Sequence, residues 1–190
     1  MITTITISRQ HGSLADETAQ IVASTLGWRL VRRELINQAA RRARAPEMAL
    51  AIIDDLGLLG FKPSTAEHSA YRQAVAQVMA ELVDQGSVVI IGRAGQVVLR
   101  GDPRVLHVRL IAPQQVRCER IAAMQAISLE AATAQVQASD RRRKSYCRRY
   151  YQIDVENPQH YDLVINTHHC EPQAAAGLIC QAVSDRSLSG

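Results

Sequence analysis

Three stretches of this chain bring together residue types that bind and move phosphate. The first is R-Q-H-G-S-L-A-D, Arg9 to Asp16. It stands between an apolar β-like run and a helix-like run, where backbone N–H groups at a helix N-terminus can cradle an anion. The phosphate-loop template G-x-x-x-x-G-K-[ST] uses glycines for close backbone approach, a Lys for the outer phosphates and a hydroxyl for Mg²⁺. On that spacing Arg9, Leu14, Ala15 and Asp16 fill the four signature positions, and none matches. Two shapes remain open. Ser13 and Asp16 have capping-box form, with Glu17 adding charge favourable to the helix dipole, so the helix can satisfy its own N-terminus. Alternatively Arg9 and the backbone of Gly12 and Ser13 hold phosphate, at a cost of roughly 1–2 kcal/mol if Leu14 turns left-handed.

The second stretch is Gly92-Arg93, directly after the apolar run Val88 to Ile91. An Arg there projects into the crevice at a strand's end and can fork onto a phosphate. Pairing with a surface carboxylate is the alternative. The third is D-R-R-R-K-S-Y-C-R-R-Y-Y, Asp140 to Tyr151. Helical spacing places Arg143, Tyr146 and Tyr150 on one face and Arg142 with Arg149 on another. Such a cluster suits a transferring phosphoryl group, a solvated basic helix or a nucleic-acid patch with interleaved aromatics. The stretch by itself does not choose among them.

The elements that must position these residues follow from periodicity. Ile2 to Ser8 alternates Thr with Ile and reads as a strand. A helix runs from Leu14 to Leu26 and stops at Gly27. Trp28 to Val31 is a second strand, Arg33 to Arg44 a basic-faced helix, and Pro46 to Pro63 a small helix and loop. Ser64 to Gln85 is a helix with a Ser64–Glu67 capping box and an apolar stripe of Tyr71, Val75, Val78, Met79 and Leu82. Val88 to Ile91 and Val105 to Ile111 are buried strands. Pro113 opens a helix bearing Val116, Arg117, Arg120 and Ile121, and Ser128 caps the next, which leads into Asp140 to Tyr151. Tyr161 to Ile165 is the last strand and Pro172 to Val183 the last helix. This alternation predicts one α/β domain over residues 1–190, with a parallel sheet covered by helices on both faces. Ligands in that architecture sit at the strands' carboxyl ends: Ser8 to Ser13, Gly92-Arg93 and Asn166-Thr167.

Composition narrows the function. Apolar residues make up 47% of the 190 residues and aromatics 4%, so the core rests on Val, Ile, Leu and Ala. No apolar run reaches the roughly 18 residues of a membrane span, and no leader pattern opens the chain. A cytoplasmic protein is expected. The net charge of +4 suits a polyanionic partner, nucleotide or nucleic acid. Cys118, Cys147, Cys170 and Cys180 match no zinc spacing and read as reduced thiols, and His168-His169-Cys170 reads as a polar turn after a strand. No metal-ligand set is expected from the protein itself. No Ser-His-Asp, H-E-x-x-H or paired-carboxylate motif is present.

Taken together, these stretches resemble the cytidylate kinase-like family of P-loop kinases. The likeness spans nearly the whole chain: I-T-I-S-R-Q-H-G-S at Ile5 to Ser13, R-E-L-I at Arg33 to Ile36, V-I-I-G-R-A at Val89 to Ala94, and V-L-H-V-R-L-I-A-P. It continues through R-C-E-R-I at Arg117 to Ile121, Asp140 to Tyr150, and N-P-Q-H-Y-D-L-V-I-N-T at Asn157 to Thr167. The resemblance implies a five-stranded parallel sheet flanked by helices, with a helical lid at about 128–157. It also implies ATP-dependent phosphorylation of a nucleoside monophosphate, typically CMP or dCMP, with Mg²⁺. On it, Arg93 holds the acceptor phosphate, Arg143 meets the transferring phosphoryl from the lid, and Asp140 orients acceptor or lid. Arg33 lies near the acceptor pocket, and Gly12 and Ser13 lie under the donor phosphates.

The chain also departs from that family. G-S-L-A-D-E stands where the family reads G-S-G-G-R-E, Arg32 replaces an acid before R-E-L-I, and Ala94 stands where CMP kinases carry Asp. A kinase and a non-catalytic nucleotide-binding or regulatory protein on the same scaffold both fit, ahead of a nucleic-acid module. Acceptor base, donor and oligomeric state stay open.

Overall fold

The computed structural model describes residues 1–32, 34–35 and 65–188. The expected helix at 33–44, the stretch 46–63, the Ser64–Glu67 box and the candidate acceptor residue Arg33 lie outside the described residues or side chains.

The strands are β1 (Thr4–Arg9), β2 (Arg29–Val31), β3 (Val88–Ile91), β4 (Val105–Ile111) and β5 (Leu163–Asn166). They form one parallel sheet in the order β2-β3-β1-β4-β5. The helices are α1 (Ala15–Leu26), α2 (Thr65–Gln85), α3 (Gly95–Val98), α4 (Gln114–Gln125), α5 (Leu129–Tyr151) and α6 (Pro172–Leu188). The expected fold class therefore stands. β1 lies between β3 and β4, so the chain leaves it in one direction and returns on both sides. That reversal opens a crevice at its carboxyl end.

Strand β3 shows how the sheet is buried. Val89 and Ile91 join Ile5, Ile7, Leu106, Val108 and Leu110 under α1 and α6, where Ala19, Val22 and Ile179 pack. Val88 and Ile90 face the other way, against Tyr71, Val75, Met79 and Val83 of α2. Side chains alternate across a strand, so an uninterrupted apolar run is what a two-sided core requires. Each such side chain contributes about 1.5–3 kcal/mol on burial. The stripe expected on α2 supplies the second layer.

Most expected boundaries hold. Gly27 caps α1 in the left-handed region, φ 66°, and its N–H reaches Ala23 O and Ser24 O. Ser128 Oγ accepts from Ala131 N at 3.2 Å and starts α5. The helix expected from Ser128 into Asp140–Tyr151 is one helix of 23 residues, about 35 Å long at 1.5 Å per residue. The short helix α3 and a 3₁₀ turn at Pro158–His160 were not expected. Among the described residues, no helix is long and apolar enough to cross a membrane.

Candidate phosphate-binding site

Of the two shapes left open for the loop, the capping box at Ser13–Asp16 does not form. Ser13 N–H and Ser13 Oγ both donate to Gln10 O, at 3.3 and 2.8 Å, which closes a tight turn over Gln10–Ser13. The hydroxyl is spent inside that turn, and the helix begins one residue later. Leu14 is the N-cap, left-handed at φ 56°, with no side-chain cap. The strain anticipated for that residue is therefore present. Among the described residues, the N–H groups of Gly12, Leu14, Ala15 and Asp16 have no protein acceptor. They form the exposed positive end of α1.

The shape of this loop is held from behind. Arg117, buried on α4, donates Nη1 to His11 O at 3.1 Å and Nε to Ala112 O at 2.9 Å. Arg120 Nη1 reaches Gly12 O at 3.4 Å, and Thr167 Oγ1 lies 3.1 Å from Ser13 O. Arg120 also grips Thr167 through Oγ1 and O, at 3.2 and 2.7 Å. Three consecutive carbonyls, His11, Gly12 and Ser13, are thus fixed by α4 and the end of β5. Gly12 is required here for two reasons. Its φ is 82°, and a Cβ would stand 2.7 Å from Arg117 O.

Charge converges in front of the loop. Asp140 on α5 pairs with Arg117 at 2.9 Å and stands 3.8 Å from Arg143. Arg143 also donates to Ser139 Oγ at 2.8 Å. Arg9 pairs with Asp16 at 3.3 Å. Burial, and next the facing Arg9, push the Arg143 guanidinium down to about 10. Burial, then Arg143 and Arg9, lower His11 below the usual histidine range, so His11 stays neutral at pH 7. Burial is the larger cause of both shifts, and the neighbouring cations add to it, so an anion placed among them would be favoured. A shallow pocket between loop and α5 is lined by Arg9, Gln10, Arg109, Asp140, Arg143, Lys144, Val155 and Glu156.

The structure brings Arg9, Asp140 and Arg143 together around that pocket, with Gly12 and Ser13 in the adjoining loop. Ser13 is fully buried, and its N–H, hydroxyl and carbonyl are all engaged inside the protein, with Gln10 O and Thr167 Oγ1, so it shapes the loop rather than facing the pocket. Arg93 sits apart, on the α2 side. Arg93 and Ala94 are consecutive left-handed residues, φ 56° and 53°, directly after β3. Non-glycine residues there cost of order 1–3 kcal/mol each and cluster where a side chain must be aimed. Arg93 is buried, and its Nη1 donates to Tyr71 OH at 3.0 Å. Tyr71 in turn meets Tyr150 edge-on, and Tyr150 meets Tyr146.

Arg109, Arg120, Lys144, Thr167 and Tyr71 enter the site without having been chosen for it in the sequence. Thr167 carried one signal, its place at a strand's carboxyl end. Arg117 and Arg120 stood out only as closely spaced helix residues.

A family model described as "Cytidylate kinase-like family" matches residues 4–169. The chain belongs to the cytidylate kinase-like family. A cytidylate kinase of Thermococcus kodakarensis is 28% identical over 187 residues, covering 98% of this chain and 90% of that one. Among solved structures, an uncharacterized protein of Eubacterium ventriosum superposes with TM-score 0.75 at 18% identity, over 97% of this chain and 99% of that one. Shikimate kinase from Acinetobacter baumannii, in complex with shikimate, gives TM-score 0.57 at 15% identity over 99% and 96%. Those two likenesses speak for the fold, which is that of P-loop kinases. The chain has the strand–loop–helix arrangement of β1 and α1, with Leu14, Ala15 and Asp16 at the junction.

Proposed function

We propose that this chain transfers the terminal phosphoryl group of a nucleoside triphosphate to a nucleoside monophosphate, with CMP or dCMP as acceptor and ATP as donor. The observation that carries the reading is an uncapped loop–helix N-terminus, Gly12 to Asp16, next to a pocket at the end of β1 that Arg9 and Arg143 line.

In the transfer, an acceptor phosphate oxygen forms a bond to the terminal phosphorus as the bond to the bridging oxygen breaks. The nucleoside diphosphate leaves with that electron pair. No strong general base is needed, and catalysis is positioning plus charge stabilisation. The N–H groups of the loop hold the donor phosphates in place of the missing Lys. Arg143 faces the transferring group from α5, and Asp140 positions it. Arg93 holds the acceptor phosphate from the strained turn after β3, and Arg33 belongs to the same acceptor side. Residues 128–157 act as the lid of a single domain. Mg²⁺, bound with the triphosphate, would shield the charge that Arg9 and Arg143 also face. Among the described residues no group of three His, Cys, Asp or Glu stands together to hold a metal ion. The four free cysteines suit the reducing cytoplasm.

A second reading rests on one contact. The Arg9–Asp16 pair sets a carboxylate at the helix N-terminus, where it competes with phosphate for Arg9. A nucleotide sensor without turnover fits that pair. Product formation from a panel of nucleoside monophosphates with ATP and Mg²⁺ separates the two. The kinase reading expects turnover that falls about 10³-fold or more in Arg143→Ala, within the range for removing an arginine from a phosphoryl-transfer site. Folded protein that binds ATP and turns over no acceptor assigns the chain to the second reading.

A further inference from the structure

Arg109 and Arg117 are both buried arginines, 5% and 3% exposed, yet their surroundings differ in kind. Arg117 has Asp140 at 2.9 Å. Arg109, on β4, has only neutral partners: its Nη1 donates to Ser8 Oγ at 3.1 Å and Tyr161 OH at 3.3 Å, and its guanidinium lies over the Tyr161 ring at 5.4 Å. Among the described residues no carboxylate comes within ion-pair reach of it. Buried charges are ordinarily paired, because an uncompensated one is expensive. Tyr161 is itself fixed, accepting from Gln96 Nε2 at 3.2 Å and donating to Val155 O at 2.8 Å. Arg109 is thus held in one orientation by a hydroxyl frame, and it lines the pocket shared by Arg9, Arg143 and Lys144. The carboxylates on that pocket are already engaged: Asp140 with Arg117 and Arg143, Glu156 with Lys144 at 2.7 Å. Arg9 is paired with Asp16 at 3.3 Å, which leaves Arg109 as the cation on this pocket with no ion pair among the described residues.

We propose that Arg109 is a phosphate-binding residue, and that with Arg9, Arg143 and Lys144 it seats the outermost phosphate of the donor chain. Lys144 is one of the chain's two lysines. Arg109 and Lys144 reach that phosphate from β4 and α5, the side opposite the loop, and between them supply the charge a phosphate-loop Lys otherwise brings. The assignment rests on the kinase reading for the identity of the ligand, and on the buried charge for the site.

Titration calorimetry with inorganic tripolyphosphate and, separately, CMP tests it in the whole chain. Wild type is expected to bind tripolyphosphate, Arg109→Gln to bind it at least 10-fold more weakly, and Arg109→Lys to lie between. CMP affinity should change less than 3-fold. Should Arg109→Gln fail to fold, the Arg109 Nε–H resonance of wild-type protein, assigned through Arg109→Lys, serves instead. It should shift and saturate with tripolyphosphate. A folded Arg109→Gln with wild-type tripolyphosphate affinity, an unmoved resonance, or loss of CMP binding alone would overturn the proposal. Phosphoryl transfer measured on the same samples keeps the two ideas separate. Arg109-dependent binding without turnover removes the kinase and leaves the seat, whereas turnover with Arg109-independent binding does the reverse.

Discussion

The loop after β1 and the turn after β3 stand one strand apart at the same edge of the sheet, and both hold non-glycine residues left-handed. Leu14 does so at φ 56° in the first, and Arg93 and Ala94 at 56° and 53° in the second. They are built on opposite plans. The loop is fixed from outside, through carbonyls gripped by Arg117, Arg120 and Thr167, and it presents backbone N–H groups. The turn presents a side chain, Arg93, which Tyr71 holds by its Nη1. A backbone site tolerates changes of side chain as long as its ties survive. A side-chain site does not. This difference accounts for a chain that has Leu14, Ala15 and Asp16 in its loop and still carries Arg directly after Gly92.

The largest effect should come from cutting the ties. Arg117→Met removes the donors to His11 O and Ala112 O and the partner of Asp140 in one change. Breaking a buried pair by deleting one member costs about 3–5 kcal/mol. The lower end is expected, because Arg143 remains near Asp140. Chemical denaturation reads the loss, and tripolyphosphate binding should fall with it. A variant that loses stability while binding tripolyphosphate normally would show that the loop keeps its shape unaided.

Gly12→Ala should come next. A methyl there meets Arg117 O at 2.7 Å and Arg117 Cβ at 2.9 Å, and φ 82° is unfavourable for Ala. Strain of about 1–3 kcal/mol follows, with the backbone of α4 unable to yield cheaply. Gly27→Ala is the control. That position has φ 66° but nothing within 4 Å of the added carbon, so only the conformational part of the cost applies. Equal losses at the two glycines would mean that contact with Arg117 does not constrain the loop.

Much of the scaffold is legible in local pattern, and the site only in part. β3 is four β-branched residues, which a two-sided core demands, and α1 ends at a glycine that the left-handed cap uses. At Ser13 two shapes stayed open in the sequence, because S-x-x-D is a local signal, whereas the hydroxyl's partner is set by the turn that follows β1. Arg109 looked like one more residue of a strand. Its meaning depends on Ser8 and Tyr161, 101 and 52 residues away, and no short-range pattern records those. That Arg143 and Asp140 lie side by side could be read from the sequence, because one helix carries both three residues apart.

Tyr71→Phe probes the other plan at smaller scale. It removes the acceptor of the Arg93 Nη1 hydrogen bond and leaves the ring's packing against Tyr150 in place. About 1.5 kcal/mol of stability is expected to go, the low end for a hydrogen bond to a charged group. The acceptor side should feel it more than the donor side. KM for the nucleoside monophosphate should rise several-fold while tripolyphosphate affinity stays within 2-fold. Equal changes on both sides would mean that the two regions are not independent.

Leu14→Gly should have the smallest effect and cuts the most finely. Glycine relieves roughly 1–2 kcal/mol of left-handed strain. Greater freedom of the unfolded chain takes back about 0.5–1 kcal/mol, and the lost packing of a half-buried Leu takes back more. Net stability should therefore move by less than about 1 kcal/mol. The informative quantity is tripolyphosphate affinity. With the carbonyls of His11, Gly12 and Ser13 tied, the N–H groups already point where they must, and restoring a glycine should leave affinity within 2-fold. A 10-fold gain would mean that Leu14 holds the loop away from its binding shape. The ties from α4 and β5 would then fix the loop's position without fixing its function.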